Sequence, residues 1–501
     1  MVVVLQLNGK KTAFTNLLIV IIIFSAASAS FGLQSSRVIF AGGAINYWSR
    51  VDVVVDVNKV IGINNLSLGF QLDWERWKKF LDSPVQQQLA INASFKLVRV
   101  FDFRPTNPRL MPCIYWNESS KTGVWNWTWV DLLTRKIFEI GAEPLFCLGW
   151  ARDNIQNYIP PGMAVNSVTQ LPYAESYAAY AKEWVKHFKL LGLPVRFYEI
   201  MNEPFFYFGW NAANMTRLKY FVEFWNTVAR AMRAENSNIL LSHDAITQKR
   251  VFDYWLQYGD DTDFLDFHKY DADTIGQYSD EEMFRYAEIR GFEDVSWSAL
   301  YSISNAQRKW FNTRGKWLPA IISESNFNSA LENGTDPKIQ QMAGAVWLAL
   351  VLKSSISKGL DYFVYFEFSS SKYSATKKPS GGFGFGMINL DDNQPWYPYY
   401  VHLIIGSNLA IGDKLIEVKS SSEDVKSIAW IRDKKLNIIL ICKVDENRTV
   451  TFQGISGQAQ VLWIDNQITY ETPKTQNKEH NLADPLILRG YTVALLQMQL
   501  S

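Results

Sequence analysis

The sequence is poor in cysteine, in histidine and in net charge. It contains 3 cysteines and 5 histidines among 501 residues, and its 50 basic and 49 acidic side chains leave a formal net charge of +1. Three cysteines allow no more than a single disulfide, so the fold has to be stabilised by packing. A balanced charge provides no broad basic surface, and nucleic acid is therefore not expected as a partner.

Several chemical signatures are also missing. The histidines are scattered, and neither a His-Glu-x-x-His motif nor a Cys/His cluster occurs, so no protein-bound metal is predicted. A Gly-x-Ser-x-Gly motif is absent, which argues against a serine hydrolase. The run GGFGFG at 381–386 lacks the lysine of a phosphate loop and the strand context of a dinucleotide site. Neither a cofactor nor a protein partner is indicated.

The N-terminal apolar run is too short to span a bilayer, which takes roughly 20 residues. This run, LLIVIIIF at 17–24, follows two lysines and precedes the small residues SAASAS, as in a secretory signal peptide. We expect residues 1–30 to be a signal peptide, with an uncleaved anchor as the alternative. An extracellular or cell-surface glycoprotein is also favoured by seven Asn-x-Ser/Thr sequons, at Asn65, Asn92, Asn117, Asn126, Asn214, Asn333 and Asn447.

Hydrophobic periodicity divides the rest of the chain into three parts. Residues 31–64 contain β-branched strands that we expect to join a β-sandwich, and 406–501 contain short strands separated by polar turns. Between them, residues 65–405 alternate strands with helical patterns. Eight such repeats predict an α/β fold, a (β/α)8 TIM barrel with a C-terminal all-β sandwich domain. The predicted barrel strands lie in NLSLGFQL, FKLVRVFDF, AEPLFCLGW, FYEIMNE, ILLSHDA, DFLDFHKY, LPAIISESN and LDYFVYFEF.

Two glutamates stand where barrel strands end. Glu203 closes the fourth predicted strand and Glu324 closes the seventh, and the carboxyl ends of barrel strands meet at one mouth. Two carboxyl groups and no metal suffice to cleave a glycosidic bond, because one donates a proton while the other attacks the sugar. Aromatic residues make up 15% of the chain, and several follow Glu203 directly. Such rings raise the pKa of an acid by desolvation and stack on sugars.

These segments resemble the clan A retaining glycoside hydrolases, and most of all family 39, the β-xylosidases and α-L-iduronidases. The resemblance rests on FYEIMNEP, AEPLFCLGW, DFLDFHKY and GGFGFGMINLDDNQPWYPYY, and it covers roughly residues 65–410. It implies that Glu203 is the acid/base and Glu324 the nucleophile. It also implies a set of substrate-site residues: Asn202, His268, Tyr270, Arg99, Trp150 and Phe366.

The resemblance has departures and leaves alternatives open. Ser325 follows the nucleophile where the family has an aromatic residue, and Phe366 stands in the place of a tryptophan. Arg99 matches the arginine that keeps the nucleophile deprotonated, but an ordinary buried ion pair is an equal interpretation, while Glu199 is interpreted as structural. The loop after strand two contains four tryptophans that form either a sugar platform or loop packing: Trp116, Trp125, Trp127 and Trp129.

The expected function is that of a secreted retaining glycosidase that cleaves β-glycosidic bonds in oligo- or polysaccharides by double displacement. Exo action of the xylosidase type competes with endo action of the glucanase or mannanase type, and the shape of the cleft distinguishes them. A catalytically inactive carbohydrate-binding protein of the cell surface is the alternative from another class. Such a protein would have no reason to retain Asn202 and Tyr270 beside both glutamates.

Overall fold

The computed structural model describes residues 49–72, 76–101, 111–152, 155–296, 298–330, 336–371, 384–466 and 475–500. The predicted signal peptide, the strand region up to residue 48 and Asn333 lie outside these ranges. Residues 51–501 form one structural unit, and of the preceding unit only Ser49 and Arg50 are described. Within the described ranges, no helix is both long and apolar enough to cross a membrane.

The described elements are twenty-one strands and eleven α-helices. The strands are β1 (Ser49–Ile63), β2 (Ser67–Leu72), β3 (Leu97–Val100), β4 (Cys113–Asn117), β5 (Thr122–Trp125), β6 (Glu143–Cys147), β7 (Phe197–Glu199), β8 (Leu240–Ser242), β9 (Leu265–Tyr270), β10 (Ala320–Asn326), β11 (Tyr362–Tyr365), β12 (Ser369–Ser370), β13 (Ile388–Asn389), β14 (Lys414–Ser420), β15 (Val425–Arg432), β16 (Lys435–Cys442), β17 (Arg448–Gln453), β18 (Gln458–Ile464), β19 (Gln476–Asn481), β20 (Leu486–Leu488) and β21 (Thr492–Gln499). The helices are α1 (Arg76–Asp82), α2 (Pro84–Asn92), α3 (Thr128–Glu139), α4 (Ala174–Leu190), α5 (Phe205–Phe208), α6 (Met215–Glu235), α7 (Lys249–Tyr258), α8 (Asp280–Ile289), α9 (Ile303–Arg314), α10 (Met342–Ser357) and α11 (Tyr397–Gly406).

Eight parallel strands form the central sheet, in the order β8, β7, β6, β3, β2, β11, β10, β9. The two outer strands of this order, β8 and β9, are linked as well. The amide of Asp263 donates to the carbonyl of Leu241 at 2.8 Å, and the Ser242 hydroxyl donates to the carbonyl of Phe264 at 2.7 Å. The sheet therefore closes into the predicted (β/α)8 barrel, and all eight predicted strands are confirmed.

Helices cover the outside of the barrel through apolar stripes. In α4 the side chains of Tyr177, Trp184 and Phe188 are buried at intervals typical of one helix face. The N-cap of α6 is Asn214, whose side chain accepts a hydrogen bond from the amide of Arg217 at 3.0 Å. Almost every residue of α10 is buried, because this helix also contacts β15, β16 and β21 of the second domain.

The second domain is an all-β domain built from β1 and β14–β21. Its nine strands lie in the order β19, β18, β21, β16, β15, β14, β1, β17, β20. β1 pairs with β14 in antiparallel register, from Val53 opposite Ser420 to Ile63 opposite Lys414. Inward-facing apolar side chains of these strands form a core separate from that of the barrel. The predicted C-terminal all-β domain is thereby confirmed.

Candidate active site

The C-terminal ends of the barrel strands bring the predicted residues together. Glu324 lies within β10, directly opposite His268 of β9 in the parallel register. Glu203 lies four residues beyond the end of β7, in a segment fixed by a hydrogen bond from the amide of Asn202 to the carbonyl of Gly149 at 2.7 Å. One carboxylate oxygen of each glutamate and a ring nitrogen of His268 all lie within 4.8 Å of one another. Glu203 and Glu324 thus lie together at the barrel mouth although they are far apart in the chain.

Glu324 is held by a cation and a hydroxyl. The Arg99 guanidinium donates from Nη1 to Oε2 of Glu324 at 2.6 Å, and the Tyr270 hydroxyl donates to Oε1 at 2.6 Å. Burial and the charge of Glu324 raise the pKa of Tyr270 well above its ordinary range, so this hydroxyl keeps its proton. Both contacts suit an ionised carboxylate, because in each of them a protein group donates a hydrogen bond to a Glu324 oxygen.

Glu203 has a different environment. Burial raises the pKa of its carboxyl to about 7, although the Arg99 charge opposes this rise. Nδ1 of His268 lies 3.1 Å from Oε1 of Glu203 and 3.9 Å from Oε1 of Glu324. Burial also lowers the pKa of His268 to about 4, so the ring is neutral near neutral pH. The environment of Glu203 therefore suits a general acid that holds a proton, and that of Glu324 suits a nucleophile.

Arg99 lies beneath the cleft rather than in its wall. It is fully buried, and its guanidinium donates to Glu199, Gln71 and Asn202 as well as to Glu324. Arg99 does not line the cavity, and all of these hydrogen bonds are donated to protein groups. It is a buried ion-pair partner of Glu199, and it also contacts the nucleophile candidate, Glu324.

Two further carboxyl groups, those of Glu199 and Asp266, are fully buried near Arg99. Burial alone would raise the pKa of Glu199, but the Arg99 guanidinium outweighs burial and holds that pKa below its ordinary value. Burial and the charge of Glu199 raise the pKa of the neighbouring Asp266 well above its ordinary range. The neutral form is therefore favoured at Asp266, and the charged form at Glu199, the ion-pair partner of Arg99. This agrees with the structural role expected for Glu199.

A cavity of about 690 Å³ opens above the two glutamates. Its wall includes Trp150, Phe366 and three aromatic residues that follow the acid candidate: Phe205, Phe206 and Trp210. Trp150 contacts Phe101 edge to face, with ring centroids 5.4 Å apart, while Phe366 contacts Tyr270 in the same way at 6.4 Å. Asn202, His268 and Tyr270 also line the cavity. The site thus combines apolar ring faces with a few polar groups, as small-ligand sites do.

The four tryptophans after the second barrel strand are packing residues. Trp116 is fully buried, and Trp125 stacks on Trp127 with ring centroids 4.7 Å apart. Trp127 stacks in turn on His187 of α4 at 4.0 Å. None of the four is among the residues that line the cavity above the glutamates, which favours loop packing over a sugar platform at this site.

Sequence reasoning missed four polar residues of the site. Gln71 lies near the end of β2, Asp244 lies two residues after β8 and Asp266 lies within β9, yet none of them belongs to a recognisable motif. Arg152 lies over the ring of Trp150, with its guanidinium carbon 4.3 Å from the ring centroid. The only available signal was their position within or shortly after predicted barrel strands, which many other polar residues share.

The spacing of Glu203, His268 and Glu324 would also suit a metal ion. The electrostatics argue against one, because Glu324 already accepts from the guanidinium of Arg99 at 2.6 Å. A second cation at this carboxylate would lie close to a buried positive charge, where repulsion is strong. The three groups are better suited to moving a proton than to holding a cation.

Neither a protein-family model nor a curated protein matches this sequence. Solved structures do match it. A glycoside hydrolase family 39 β-xylosidase from Caulobacter crescentus is 13% identical, with a TM-score of 0.61, and the alignment covers 89% of this chain and 99% of that chain. An α-L-arabinofuranosidase from Thermotoga maritima is 14% identical, with a TM-score of 0.62 and coverage of 90% and 100%. A family 30 endoxylanase from Clostridium papyrosolvens is 14% identical, with a TM-score of 0.55 and coverage of 89% and 100%.

At this level of identity the likeness establishes a shared fold. The alignments extend over nearly the whole of each solved chain, so the similarity includes the barrel and the all-β domain together. The architecture that the family 39 resemblance implied is confirmed.

Proposed function

We propose that this chain is a retaining glycosidase that hydrolyses β-glycosidic bonds in oligo- or polysaccharides. The observation that carries the proposal is the pair of glutamates at the barrel mouth. One carboxylate oxygen of Glu203 and one of Glu324 lie within 4.8 Å of each other, and the two carboxyl groups have different surroundings. Glu324 accepts from a cation and a hydroxyl, whereas burial raises the pKa of Glu203 to about 7. The similar solved structures support the same class, since their names describe glycosidases.

In the first step, Glu203 gives its proton to the oxygen of the leaving group. Glu324 attacks the anomeric carbon, so the bond to the leaving group breaks and a glycosyl ester forms. Arg99 and Tyr270 hold the attacking carboxylate in place through the hydrogen bonds described above. In the second step, the ionised Glu203 takes a proton from water, the water oxygen attacks the same carbon, and Glu324 leaves as a carboxylate.

The distance between the two carboxyl groups supports retention of configuration. Retaining glycosidases place them about 5 to 5.5 Å apart, whereas inverting enzymes need about 6.5 to 9.5 Å to admit the attacking water. One oxygen of Glu203 and one of Glu324 lie within 4.8 Å of each other, a short separation that favours an attacking carboxylate over an attacking water. Asn202 lies between Arg99 and the cavity, and its Oδ1 accepts from Arg99 at 2.6 Å. This bond turns the amide NH₂ away from Arg99, where it hydrogen-bonds the Glu203 carboxyl and has a second N–H for a sugar hydroxyl.

We also propose that the protein is exported and N-glycosylated. The support is the leader pattern of residues 1–30 together with the exposure of the sequons. Five of the sequon asparagines are exposed and Asn447 is half-buried; the exposed ones are Asn65, Asn92, Asn117, Asn126 and Asn214. Treatment of the secreted protein with an endoglycosidase should lower its apparent mass. An unchanged mass, or retention of residues 1–30 in the mature chain, would contradict this part of the proposal.

A panel of aryl glycosides and plant polysaccharides tests the proposed activity. We expect turnover of at least one β-glycoside, and the lengths of the products from a polysaccharide then distinguish exo from endo action. The similar structures include a xylosidase, an arabinofuranosidase and an endoxylanase, so the panel has to contain several sugars. No turnover by the wild-type protein across the panel would contradict the proposal.

The matched variants for this panel are Glu203→Ala and Glu203→Gln. Loss of the acid should lower kcat/KM by about 100-fold or more for poor leaving groups, which need protonation. Activated leaving groups, which depart without a proton, should be much less affected in the first step. Equal losses on both kinds of substrate would remove the acid role from Glu203.

A further inference from the structure

Asp244 lies behind the site and contacts Glu203 along two routes. It lies two residues after the end of strand β8 and is 4% exposed. Its Oδ2 accepts a hydrogen bond from the backbone amide of Glu203 at 2.6 Å. The same oxygen lies 3.1 Å from Nε2 of His268, whose other ring nitrogen lies 3.1 Å from the Glu203 carboxyl. Asp244 thus contacts the Glu203 backbone directly and its carboxyl through a ring.

The backbone of Glu203 needs such a partner. Its φ angle is +42°, in the left-handed region that residues other than glycine seldom occupy. Pro204 follows, and a residue before proline is pushed toward extended conformations, which makes this angle still less favourable. A conformation of this kind persists only where the surroundings hold it. The bond from the Glu203 amide to Asp244 is the contact that fixes this peptide group.

We propose that Asp244 is a positioning residue for the acid/base Glu203. It fixes the left-handed backbone at Glu203 and, together with His268, directs the carboxyl toward the oxygen of the leaving group. Asp244 does not line the cavity, so it acts through Glu203 and not on the substrate. This inference rests on the proposed glycosidase function.

The charge state of Asp244 suggests a conservative replacement. Burial, and after it the charges of Glu199 and Glu203, raise the pKa of Asp244 well above its ordinary range. The raised pKa favours the neutral form of its carboxyl. Asparagine has the same shape, is neutral and can accept the Glu203 amide through its side-chain oxygen. Alanine cannot, and it leaves a buried amide without an acceptor.

The test compares Asp244→Ala and Asp244→Asn on two aryl glycosides of one sugar, a poor and a good leaving group. Misplacement of a catalytic group by about 1 Å can cost about 100-fold in rate. We expect Asp244→Ala to lose about 100-fold in kcat/KM on the poor leaving group and less than about 10-fold on the good one. For Asp244→Asn we expect the ratio of the kcat/KM values on the two substrates to equal that of the wild type.

Asp361→Ala is the matched control. Its carboxylate also accepts a strand amide, that of Ala320 at 2.8 Å, but at the start of β10 and away from the cleft. This variant should have a lower unfolding temperature than the wild type and the same ratio of kcat/KM values on the two substrates. A purely structural role of Asp244 would produce the same pattern, with equal losses on both glycosides, and that result would overturn the proposal.

Two further outcomes are informative. If Asp244→Ala does not fold, Asp244→Ser replaces it, and the same losses of kcat/KM are expected. If neither variant folds while Asp244→Asn does, Asp244 has a structural role and the proposal is overturned. An Asp244→Asn variant as impaired as Asp244→Ala would also overturn it. If the wild-type protein cleaves neither glycoside, the proposed function fails instead, so the two failures are distinguishable.

Discussion

Replacing Glu203 by glutamine should change how the stability of the fold depends on pH. Burial raises the pKa of Glu203 to about 7 from an ordinary value of 4.5, because the charged form is poorly solvated in the folded protein. A group whose folded pKa is raised contributes stability that is complete below its unfolded pKa and is lost as pH rises through its folded pKa. The wild type should therefore lose stability relative to Glu203→Gln between these two values.

The size of the effect follows from the two pKa values. Linkage over the interval from about pH 5 to about pH 8 gives a relative loss of about 2.5 kcal/mol for the wild type. The assay is chemical denaturation of both proteins at these pH values and equal ionic strength, followed by tryptophan fluorescence. Taking the difference between the two proteins removes the contributions of the other titrating groups to first order. A difference that stays constant with pH would refute the assigned environment of Glu203.

Glu282 provides a control of opposite sign. It belongs to the capping box of α8, where the Ser279 amide and hydroxyl both donate to its carboxylate and lower its pKa. A lowered pKa contributes stability that is present above the unfolded pKa and is lost as pH falls through the folded one. Glu282→Gln should thus lose stability relative to the wild type near neutral pH, and this deficit should shrink in acid.

Three further predictions concern catalysis. The kcat/KM of the wild type should fall tenfold per pH unit above about pH 7, where Glu203 loses its proton, and a rate that is flat through this range would contradict the acid assignment. Glu324→Ala should be inactive but partly rescued by azide, yielding a glycosyl azide of inverted configuration, whereas a retained product would exclude Glu324 as the nucleophile. Activity should survive dialysis against a chelator, because Arg99 occupies the carboxylate that a metal would need, and loss that is restored by a divalent cation would reverse this conclusion.

The sequence carried enough information for the barrel and for the two glutamates. The barrel strands are short apolar runs buried on both faces, and β10, for example, is buried along its whole length. Because strand order in a (β/α)8 barrel follows chain order, the ends of the fourth and seventh strands could be placed at one mouth without coordinates. Glu203 and Glu324 follow from that rule.

Other parts of the fold carried no such signal. β19 is a polar strand at the edge of its sheet, with the sequence QNKEHN, so no apolar alternation marks it. The β4–β5 hairpin lies in a polar segment whose pattern predicts a loop, although its tryptophans pack on α4. Both depend on tertiary contacts, which local pattern does not encode.

The roles of individual polar side chains were the least predictable. Whether a strand residue such as Arg99 faces the cavity or lies beneath it depends on depth along the barrel axis, which the sequence does not give. Asp244 illustrates the same problem, since its importance comes from a bond to the backbone of a residue 41 positions away. Side-chain periodicity predicts which face a residue is on and leaves its hydrogen-bond partners open.

The most direct test of the account is to trap the glycosyl ester. The protein is inactivated with a 2-fluoro glycoside of the sugar that the panel identifies, and the labelled peptide is located by mass spectrometry. We expect one sugar per chain on the peptide that contains Glu324, and no label on Glu324→Gln. A label on another carboxylate, or turnover that releases the inverted anomer without any trapped ester, would contradict a double displacement through the paired glutamates.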